Sequence, residues 1–269
     1  MKRYGRGDPV LAGVDLEVPA AAMIQVAGGN GTGKSTLLRI LAGVSRPTSG
    51  TALGRPRVVG YVPQTGGADP GLSPHAYLAH LGRVRGLPGA AARAQAVDLL
   101  DQLGVAGGRD AALGTASGGT RRKVVIAQAF LVAPGLVVLD EPFDGLDTTT
   151  TTTTTVLNAM LTQAAAGGAS VVFTDHRDLT PPPGVVVHEL VGGRLTALAT
   201  GVVTIVLVTG SGLADPSLVW AALPGVIAAT RTADRVRLRV RIVACDAVLT
   251  AALAYGWSVH QVTPEAGTG

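Results

Sequence analysis

Residues 23–43 are MIQVAGGNGTGKSTLLRILAG, an apolar segment, a glycine-rich loop and a segment with helical spacing that stops at Gly43. The loop matches G-x-x-x-x-G-K-[ST], and it stands between a strand pattern and a helix pattern, as that motif requires. Glycines let successive backbone N–H groups point inward and, together with the helix N-terminus, hold phosphate oxygens. The segment therefore predicts an α/β fold that binds a nucleotide triphosphate.

The phosphate loop, residues 28–36, supplies most of the predicted nucleotide contacts. We expect Lys34 to reach the outer phosphates and to act in catalysis, and Ser35 to ligate Mg²⁺. The expected nucleotide-binding residues of the loop are Gly28, Gly29, Asn30, Gly31, Thr32, Gly33, Lys34, Ser35 and Thr36.

A second apolar segment, residues 136–139, ends in Asp140 and Glu141. A continuous apolar run of this length is typical of a central parallel strand that is covered on both faces. Such sheets bind ligands at the carboxyl ends of their strands. We expect Asp140 to hold Mg²⁺ and Glu141 to orient or deprotonate the attacking water. The alternative for an isolated acidic pair is a capping role in a turn, and the phosphate loop upstream argues against it.

The composition indicates a folded globular protein. Of the 269 residues 47% are hydrophobic and 15% charged, and the net charge is +4. The basic residues form no block, so nucleic acid is not expected as a partner, whereas a mild basic balance suits an anionic membrane face. Cys245 is the only cysteine, which excludes an intrachain disulfide. The N-terminus lacks the apolar core of a signal peptide, and the longest apolar run, residues 201–208, is far shorter than the ~20 residues of a membrane helix.

Residues 115–123, TASGGTRRK, precede a helical pattern over 124–130. With the two motifs above, this segment resembles the ATP-binding subunit of ABC transporters, in which a Leu-Ser-Gly-Gly-Gln signature opens such a helix. Here Ala116 stands in place of the leucine and Thr120 in place of the glutamine. The resemblance implies that Ser117, Gly118 and Gly119 contact the γ-phosphate of the ATP bound by a second subunit. Small residues at a helix N-terminus suit that contact, because they let the backbone approach an anion.

Four further residues follow in the order of that family. The resemblance implies that Gln64, in Tyr-Val-Pro-Gln, senses Mg²⁺ and the attacking water, and that His176, after the strand pattern 171–174, contacts the γ-phosphate. Asp147 would end a loop that crosses to the second subunit. Tyr4 would stack on adenine, with a purely structural aromatic as the alternative. The family has a strand before this aromatic, whereas the chain begins at Met1, so we expect that edge strand to be missing.

The resemblance covers residues 1–196 and implies the ABC type of P-loop NTPase domain, with a helical subdomain over about 66–130. Residues 76–84 and 90–103 have amphipathic helical patterns, and 185–190 with 192–195 form a predicted hairpin. The eight threonines of 148–155 follow Asp147. Threonine is a poor helix former, yet we expect tertiary packing to make this segment helical, with Thr148 as a possible N-cap.

Residues 197–269 form a predicted second domain with a βαββαβ, ferredoxin-like pattern. The expected strands and helices are 202–208, 216–223, 225–231, 235–242, 244–255 and 257–263, and the two middle strands form a hairpin that turns at 233–234. Within this last strand of the hairpin, three arginines alternate with apolar residues over 236–242. A solvated sheet face is the favoured interpretation, and contact with anionic lipid or a partner is the alternative. This tail resembles the C-terminal extension of drug-exporter-type ABC ATPases.

The resemblance as a whole implies an ATP-hydrolysing subunit that energises export through a separate transmembrane subunit. Two copies would close head-to-tail around two ATP molecules, with Mg²⁺ held by Ser35, Gln64 and Asp140. The expected location is cytoplasmic, on the inner face of the cell membrane. A soluble ABC-type ATPase acting on ribosomes or DNA is one alternative. A non-hydrolysing regulator is another, and the presence of Glu141 and His176 argues against it.

Overall fold

The computed structural model describes residues 1–105, 110–146, 151–175, 184–198, 202–209, 220–232 and 235–264. They form two compact units. The described residues up to 196 belong to the first unit, and those from 197 onward belong to the second.

The first unit is built on a six-stranded sheet in the order β2-β3-β4-β1-β5-β6. Its strands are β1 Met23–Ala27, β2 Val59–Val62, β3 Leu136–Leu139, β4 Ser170–Thr174, β5 Val185–Val191 and β6 Arg194–Ala197. Strands β1 to β5 are joined by parallel pairings. The carboxyl ends of β1, β2, β3 and β4 therefore meet at one edge of the sheet, which is where α/β proteins bind ligands. The predicted α/β architecture is confirmed.

Five helices accompany this sheet in the described part of the first unit, and the sheet carries a hydrophobic core on each face. They are α1 Lys34–Leu41, α2 Pro74–Val84, α3 Gly89–Gln102, α4 Gly118–Ala127 and α5 Thr151–Ala166. Alternate residues of β3 enter different cores: Val137 and Leu139 lie in a core with residues of α2 to α5, whereas Leu136 and Val138 lie in a core with residues of α1. Because both faces of the strand are covered, all four of its side chains are apolar.

The helices α2 and α3 lie where the amphipathic patterns predict them, and their ends differ by one or two residues. The earlier start of α2 has a local cause. Ser73 is its N-cap, with Oγ accepting a hydrogen bond from the backbone N–H of Ala76 at 3.2 Å, and Pro74 occupies the first turn. Both residues favour a helix start at this point. Gly82 brings the two helices close together, since a Cβ there would lie 3.0 Å from that of Ala92.

The threonine-rich segment is helical from Thr151 onward. Thr153, Leu157, Met160 and Leu161 are buried, at the spacing of one helix face. Packing of this face outweighs the poor helix propensity of threonine, as expected. Asp147 and the predicted N-cap Thr148 lie outside the described residues.

The second unit is a four-stranded antiparallel sheet in the order β10-β7-β9-β8. Its strands are β7 Val202–Thr209, β8 Val226–Arg231, β9 Arg235–Arg241 and β10 Trp257–Pro264, and its helical elements are α6 Cys245–Ala254 and two 3₁₀ turns at Trp220–Ala222 and Ile242–Ala244. This strand order is the one expected when each β-α-β crossover of a βαββαβ chain skips one strand. Most of the helix predicted over 216–223 and the turn at 233–234 lie outside the described residues.

The alternation along β9 places its apolar residues in the core of the second unit. Val236, Leu238 and Val240 are fully buried beside β7 and two tryptophans that meet edge to face. Of the three arginines that alternate with them, the first two are exposed and Arg241 is half-buried. The alternating pattern in the sequence therefore predicts the face of each side chain correctly.

Candidate nucleotide-binding and hydrolytic site

The phosphate loop leaves β1 and enters α1, as the motif predicts. Gly28 and Gly33 have φ angles of 142° and 105°, in the region that favours glycine. A Cβ at Gly28 would lie 2.6 Å from the carbonyl oxygen of Leu190, and one at Gly33 would lie 2.9 Å from Val10 Cγ1. Both positions need glycine for conformation and for space, which explains the spacing of the motif.

Lys34 is the cation of this loop, and it is buried, with 6% of its surface exposed. Its Nζ donates hydrogen bonds to the carbonyl oxygens of Gly28 at 2.7 Å and Gly29 at 2.9 Å. The ammonium group thus lies across the loop at the N-terminus of α1, where phosphate oxygens can replace the two carbonyl partners. Ser35 is half-buried and Thr36 is buried in the first turn of the same helix.

Asp140 follows β3 directly and is almost fully buried, with 1% of its surface exposed. Its Oδ1 accepts a hydrogen bond from Thr174 Oγ1 at 3.1 Å. Its Oδ2 is buried and has no hydrogen-bond partner among the described residues. A buried carboxylate oxygen without a partner is costly, and Mg²⁺ prefers such oxygen ligands. The donor set of Asp140, the Ser35 hydroxyl and the Gln64 amide oxygen therefore fits Mg²⁺.

Glu141 adopts a left-handed backbone conformation, with φ of 49°. For a residue with a side chain this costs about 1–3 kcal/mol, and such strain is concentrated at functional sites. The Glu141 N–H donates to Thr174 Oγ1 at 2.8 Å. Gln64 Nε2 donates to Glu141 Oε2 at 2.9 Å. The structure thus brings together the glutamine and the glutamate that the sequence assigned separately to the attacking water.

Thr174 is a residue of this site that sequence reasoning missed. It is fully buried at the end of β4, where its hydroxyl accepts from the Glu141 N–H and donates to Asp140 Oδ1. No sequence signal separates it from an ordinary strand threonine, because the two acids it contacts are 33 and 34 residues away.

Replacing Thr174 by valine keeps the shape of the side chain and removes both hydrogen bonds. We expect the free energy of unfolding to fall by about 2–4 kcal/mol, since each buried group left without a partner costs about 1–3 kcal/mol. Calorimetry of the full chain measures this change. The matched control is Thr196→Val at an exposed position of β6, where we expect a change within about 0.5 kcal/mol. Equal effects of the two substitutions would refute the bridging role.

Arg122 is a second residue that sequence reasoning did not single out. It lies in α4, with 9% of its surface exposed, and its guanidinium contacts four main-chain carbonyl groups beside Gln64 and Glu141. The sequence holds one signal that this arginine is buried. Arg122 precedes the buried Ile126 by four residues, so the helical period places this arginine on the core side of α4.

The signature residues lie at the start of α4, as predicted. Ser117 is the N-cap, and its Oγ accepts a hydrogen bond from the Thr120 N–H at 3.1 Å. Ser117 and Gly118 are exposed and Gly119 is half-buried. The Thr120 hydroxyl lies 2.9 Å from Ser117 Oγ, so the threonine adds a side-chain contact to this cap.

Tyr4 is half exposed and lies beside the first turn of α1. A hydrogen bond with Thr36 is the largest cause that lowers the pKa of its hydroxyl, and the positive charges of Lys2 and Arg39 lower that pKa further. The Lys2 Nζ lies 4.9 Å from the centre of the tyrosine ring. Nearby, Lys2 and Leu11 form an isolated antiparallel bridge. His176 lies outside the described residues.

The sequence is similar to that of known proteins over its first half. The ABC transporter family matches residues 11–144. The chain is 39% identical over 156 residues to the daunorubicin/doxorubicin resistance ATP-binding protein DrrA of Streptomyces peucetius, covering 52% of this chain and 46% of that protein. It is 35% identical over 147 residues to the zinc import ATP-binding protein ZnuC of Saccharophagus degradans, covering 52% and 54%. The chain therefore spans about half the length of the curated relatives it matches.

Solved structures extend the similarity to the fold. A structure described as the ATP binding subunit of an ABC transporter has a TM-score of 0.63 at 25% identity, covering 72% of this chain and 86% of the other. The ATP-binding cassette MJ0796 has a TM-score of 0.64 at 22% identity, covering 74% and 96%. Residues 11–144 therefore match the ABC transporter family, and the described first unit has the fold of an ATP-binding subunit of that family.

Proposed function

We propose that the chain is the ATP-hydrolysing subunit of an exporter whose transmembrane subunit is a separate chain. The observation that supports ATP hydrolysis most strongly is the 2.9 Å hydrogen bond between Gln64 and Glu141 at the sheet edge that also carries the phosphate loop. A regulator that only binds nucleotide has no need of a strained, buried glutamate beside a glutamine.

In the proposed reaction, the backbone N–H groups of the phosphate loop and Lys34 bind the β- and γ-phosphates of ATP. Glu141 accepts a proton from the attacking water, and Gln64 orients the carboxylate through its hydrogen bond to Oε2. The water oxygen bonds to the γ-phosphorus while the bond from that phosphorus to the bridging oxygen breaks, so that ADP leaves with that oxygen. Lys34 stabilises the negative charge that develops on the transferred phosphate. His176 is proposed to contact the γ-phosphate, and Tyr4 to stack on the adenine.

Three residues are proposed to hold Mg²⁺: Ser35, Gln64 and Asp140. When bound, the cation would neutralise phosphate charge. The buried oxygen of Asp140 supports this assignment, because it has no hydrogen-bond partner in the described part of the chain.

A second copy of the chain is the proposed partner at the nucleotide. Ser117 and Gly118 are exposed at the N-terminus of α4, where backbone N–H groups can approach an anion. In a head-to-tail dimer, these residues of one copy would contact the γ-phosphate held by the phosphate loop of the other. Asp147 would lie in the loop that crosses between the copies.

Export is proposed because the relatives include drug-resistance ATP-binding proteins of Streptomyces peucetius and Mycobacterium tuberculosis. Import is the second candidate, since ZnuC and SsuB relatives are import proteins of similar identity. The chain itself is proposed to act on the cytoplasmic face of the membrane. In the described residues, no helix has the length and apolar character to cross a bilayer.

A detergent extract of cells that carry the tagged chain tests the membrane partner. We expect a multi-span membrane protein to be recovered with the chain. When the membrane fraction is omitted, that protein should no longer be recovered. Recovery with ribosomes or DNA alone would support the alternative, a soluble ABC-type ATPase. ATP-driven uptake of a fluorescent drug by inside-out vesicles would then support export, and uptake only by right-side-out vesicles would support import.

A further inference from the structure

We propose that Arg122 is a positioning residue for hydrolysis, which sets the distance between Gln64 and Glu141 by binding the main chain of both. The proposal rests on the proposed function, in which these two residues act on the attacking water. The side chain of Arg122 is directed at the backbone of the site. None of the sequence motifs assigned it a role.

The guanidinium of Arg122 joins two segments that are distant in sequence. Nη1 donates to the carbonyl oxygens of Pro63 at 2.5 Å and Gln64 at 3.2 Å. Nη2 donates to those of Asp140 and Glu141, each at 2.7 Å. The first pair follows β2 and the second pair follows β3. One planar group therefore fixes the spacing of the two strand ends from which the Gln64 and Glu141 side chains extend.

Burial of this guanidinium does not by itself stabilise the fold. Burial lowers the pKa of Arg122, and the negative charges of Asp144, Asp140 and Glu141 only partly offset that effect. Nε is buried without a partner in the described part of the chain. An apolar side chain of similar volume is often at least as stabilising as a buried charge. The rigid fork of arginine, in contrast, can bind two loops at once, which a lysine ammonium does not do in a fixed plane.

The main chain of Glu141 needs such support because its conformation is strained. Its φ of 49° is held by hydrogen bonds on both sides of the residue, from its N–H to Thr174 and from Arg122 to its carbonyl oxygen. Without Arg122, the peptide after Glu141 loses one of the contacts that fix it, and the carboxylate can move away from Gln64. A misplacement of about 1 Å at a reacting group can cost 100-fold in rate.

The Gln64 loop, residues 63–67, is held at its other end by a different helix. The Tyr77 hydroxyl of α2 donates to the carbonyl oxygen of Gly67, and it lies 2.6 Å from Gln128 Oε1. Arg122 therefore holds the end of the loop that carries the glutamine, whereas Tyr77 holds the end that leads into the helical segment. Because Arg122 lies on the helix that begins with the signature, the two catalytic segments are tied to that helix.

Steady-state hydrolysis by Arg122→Gln and Arg122→Lys tests the proposal. We expect Arg122→Gln to lower kcat by about 10- to 100-fold while KM for ATP changes less than about threefold, because Arg122 does not contact the phosphate loop. Arg122→Lys should recover only part of kcat, since an ammonium cannot bind both loops in one plane. The matched control is Arg55→Gln. Arg55 also donates to two carbonyl groups, Ile40 and Leu41, but at the far end of α1.

Arg55→Gln is expected to lower Tm and to leave kcat unchanged. The proposal is overturned if Arg122→Gln and Arg55→Gln have the same kcat, or if Arg122→Lys is fully active. Should Arg122→Gln fail to fold, the lysine variant decides alone.

Hydrogen exchange provides a readout that needs no turnover. Arg122→Lys should speed exchange in both segments 63–67 and 140–144, and unchanged exchange there would also overturn the proposal. If the unaltered chain does not hydrolyse ATP, the proposed function fails. The exchange result still tests whether Arg122 holds the two segments together.

Discussion

Glu141→Gln is expected to lower the steady-state rate of ATP hydrolysis by at least about 100-fold, because a positioned general base contributes about 10²- to 10⁴-fold. Glutamine keeps the shape of the side chain and the strained backbone but cannot accept the proton of the attacking water. ATP affinity should be retained, since the phosphate loop is untouched. Phosphate release and equilibrium binding of a fluorescent ATP analogue measure the two quantities separately.

The control for this experiment is Glu17→Gln, the same chemical change at an exposed position of the first unit. We expect the Glu17 variant to hydrolyse ATP at the rate of the unaltered chain. Equal turnover by the Glu141 variant would show that another group accepts the proton, and the assignment of Glu141 would then be wrong.

Lys34→Met should weaken ATP binding by about 10- to 150-fold, since hydrogen bonds to charged groups contribute about 1.5–3 kcal/mol. Turnover at saturating ATP should fall by a further 100-fold or so, because the ammonium also stabilises charge in the transition state. The fold should survive, as the hydrogen bonds of Lys34 to Gly28 and Gly29 are made within its own loop. Isothermal titration with ATP gives the affinity.

Lys123→Met provides the charge-matched control for the affinity. Lys123 is half-buried on α4 and lies outside the phosphate loop, so ATP affinity should be unchanged. An affinity loss as large in this variant as in Lys34→Met would mean that overall charge, and not the position of Lys34, governs binding.

The phosphate loop and the central strands could be predicted from sequence because their causes are local. Gly28 and Gly33 occupy conformations and spaces that exclude a side chain, so the local geometry requires the glycines of the motif. β3 is apolar at every position because two cores cover it. The threonine-rich helix was predicted against its propensity, and the buried face with Leu157 and Leu161 explains why it forms from Thr151 onward.

The contacts that complete the site could not be predicted, since they join residues that are distant in sequence. Gln64 and Glu141 are 77 residues apart, and the hydrogen bonds of Arg122 span between 18 and 59 residues. Motifs identified the glutamine and the glutamate as separate candidates, but only the sheet order brings β2 beside β3. Thr174 carries no motif, because any buried strand threonine has the same local pattern. For Arg122 the helical period indicates only the face of α4, not the carbonyl groups that the side chain binds.

Two copies of this chain are proposed to bind ATP between the phosphate loop of one copy and the signature segment of the other. Sedimentation of Glu141→Gln tests it most directly, because slow hydrolysis preserves the ATP-bound state. In ATP we expect a particle of twice the 27.0 kDa chain mass, and in ADP a single chain. Ser117→Arg in the same background should abolish the ATP-dependent dimer, since a bulky side chain would block the γ-phosphate contact. A chain that stays monomeric in saturating ATP and Mg²⁺, or an ATP-dependent dimer that persists in the Ser117→Arg variant, would contradict ATP binding between two copies.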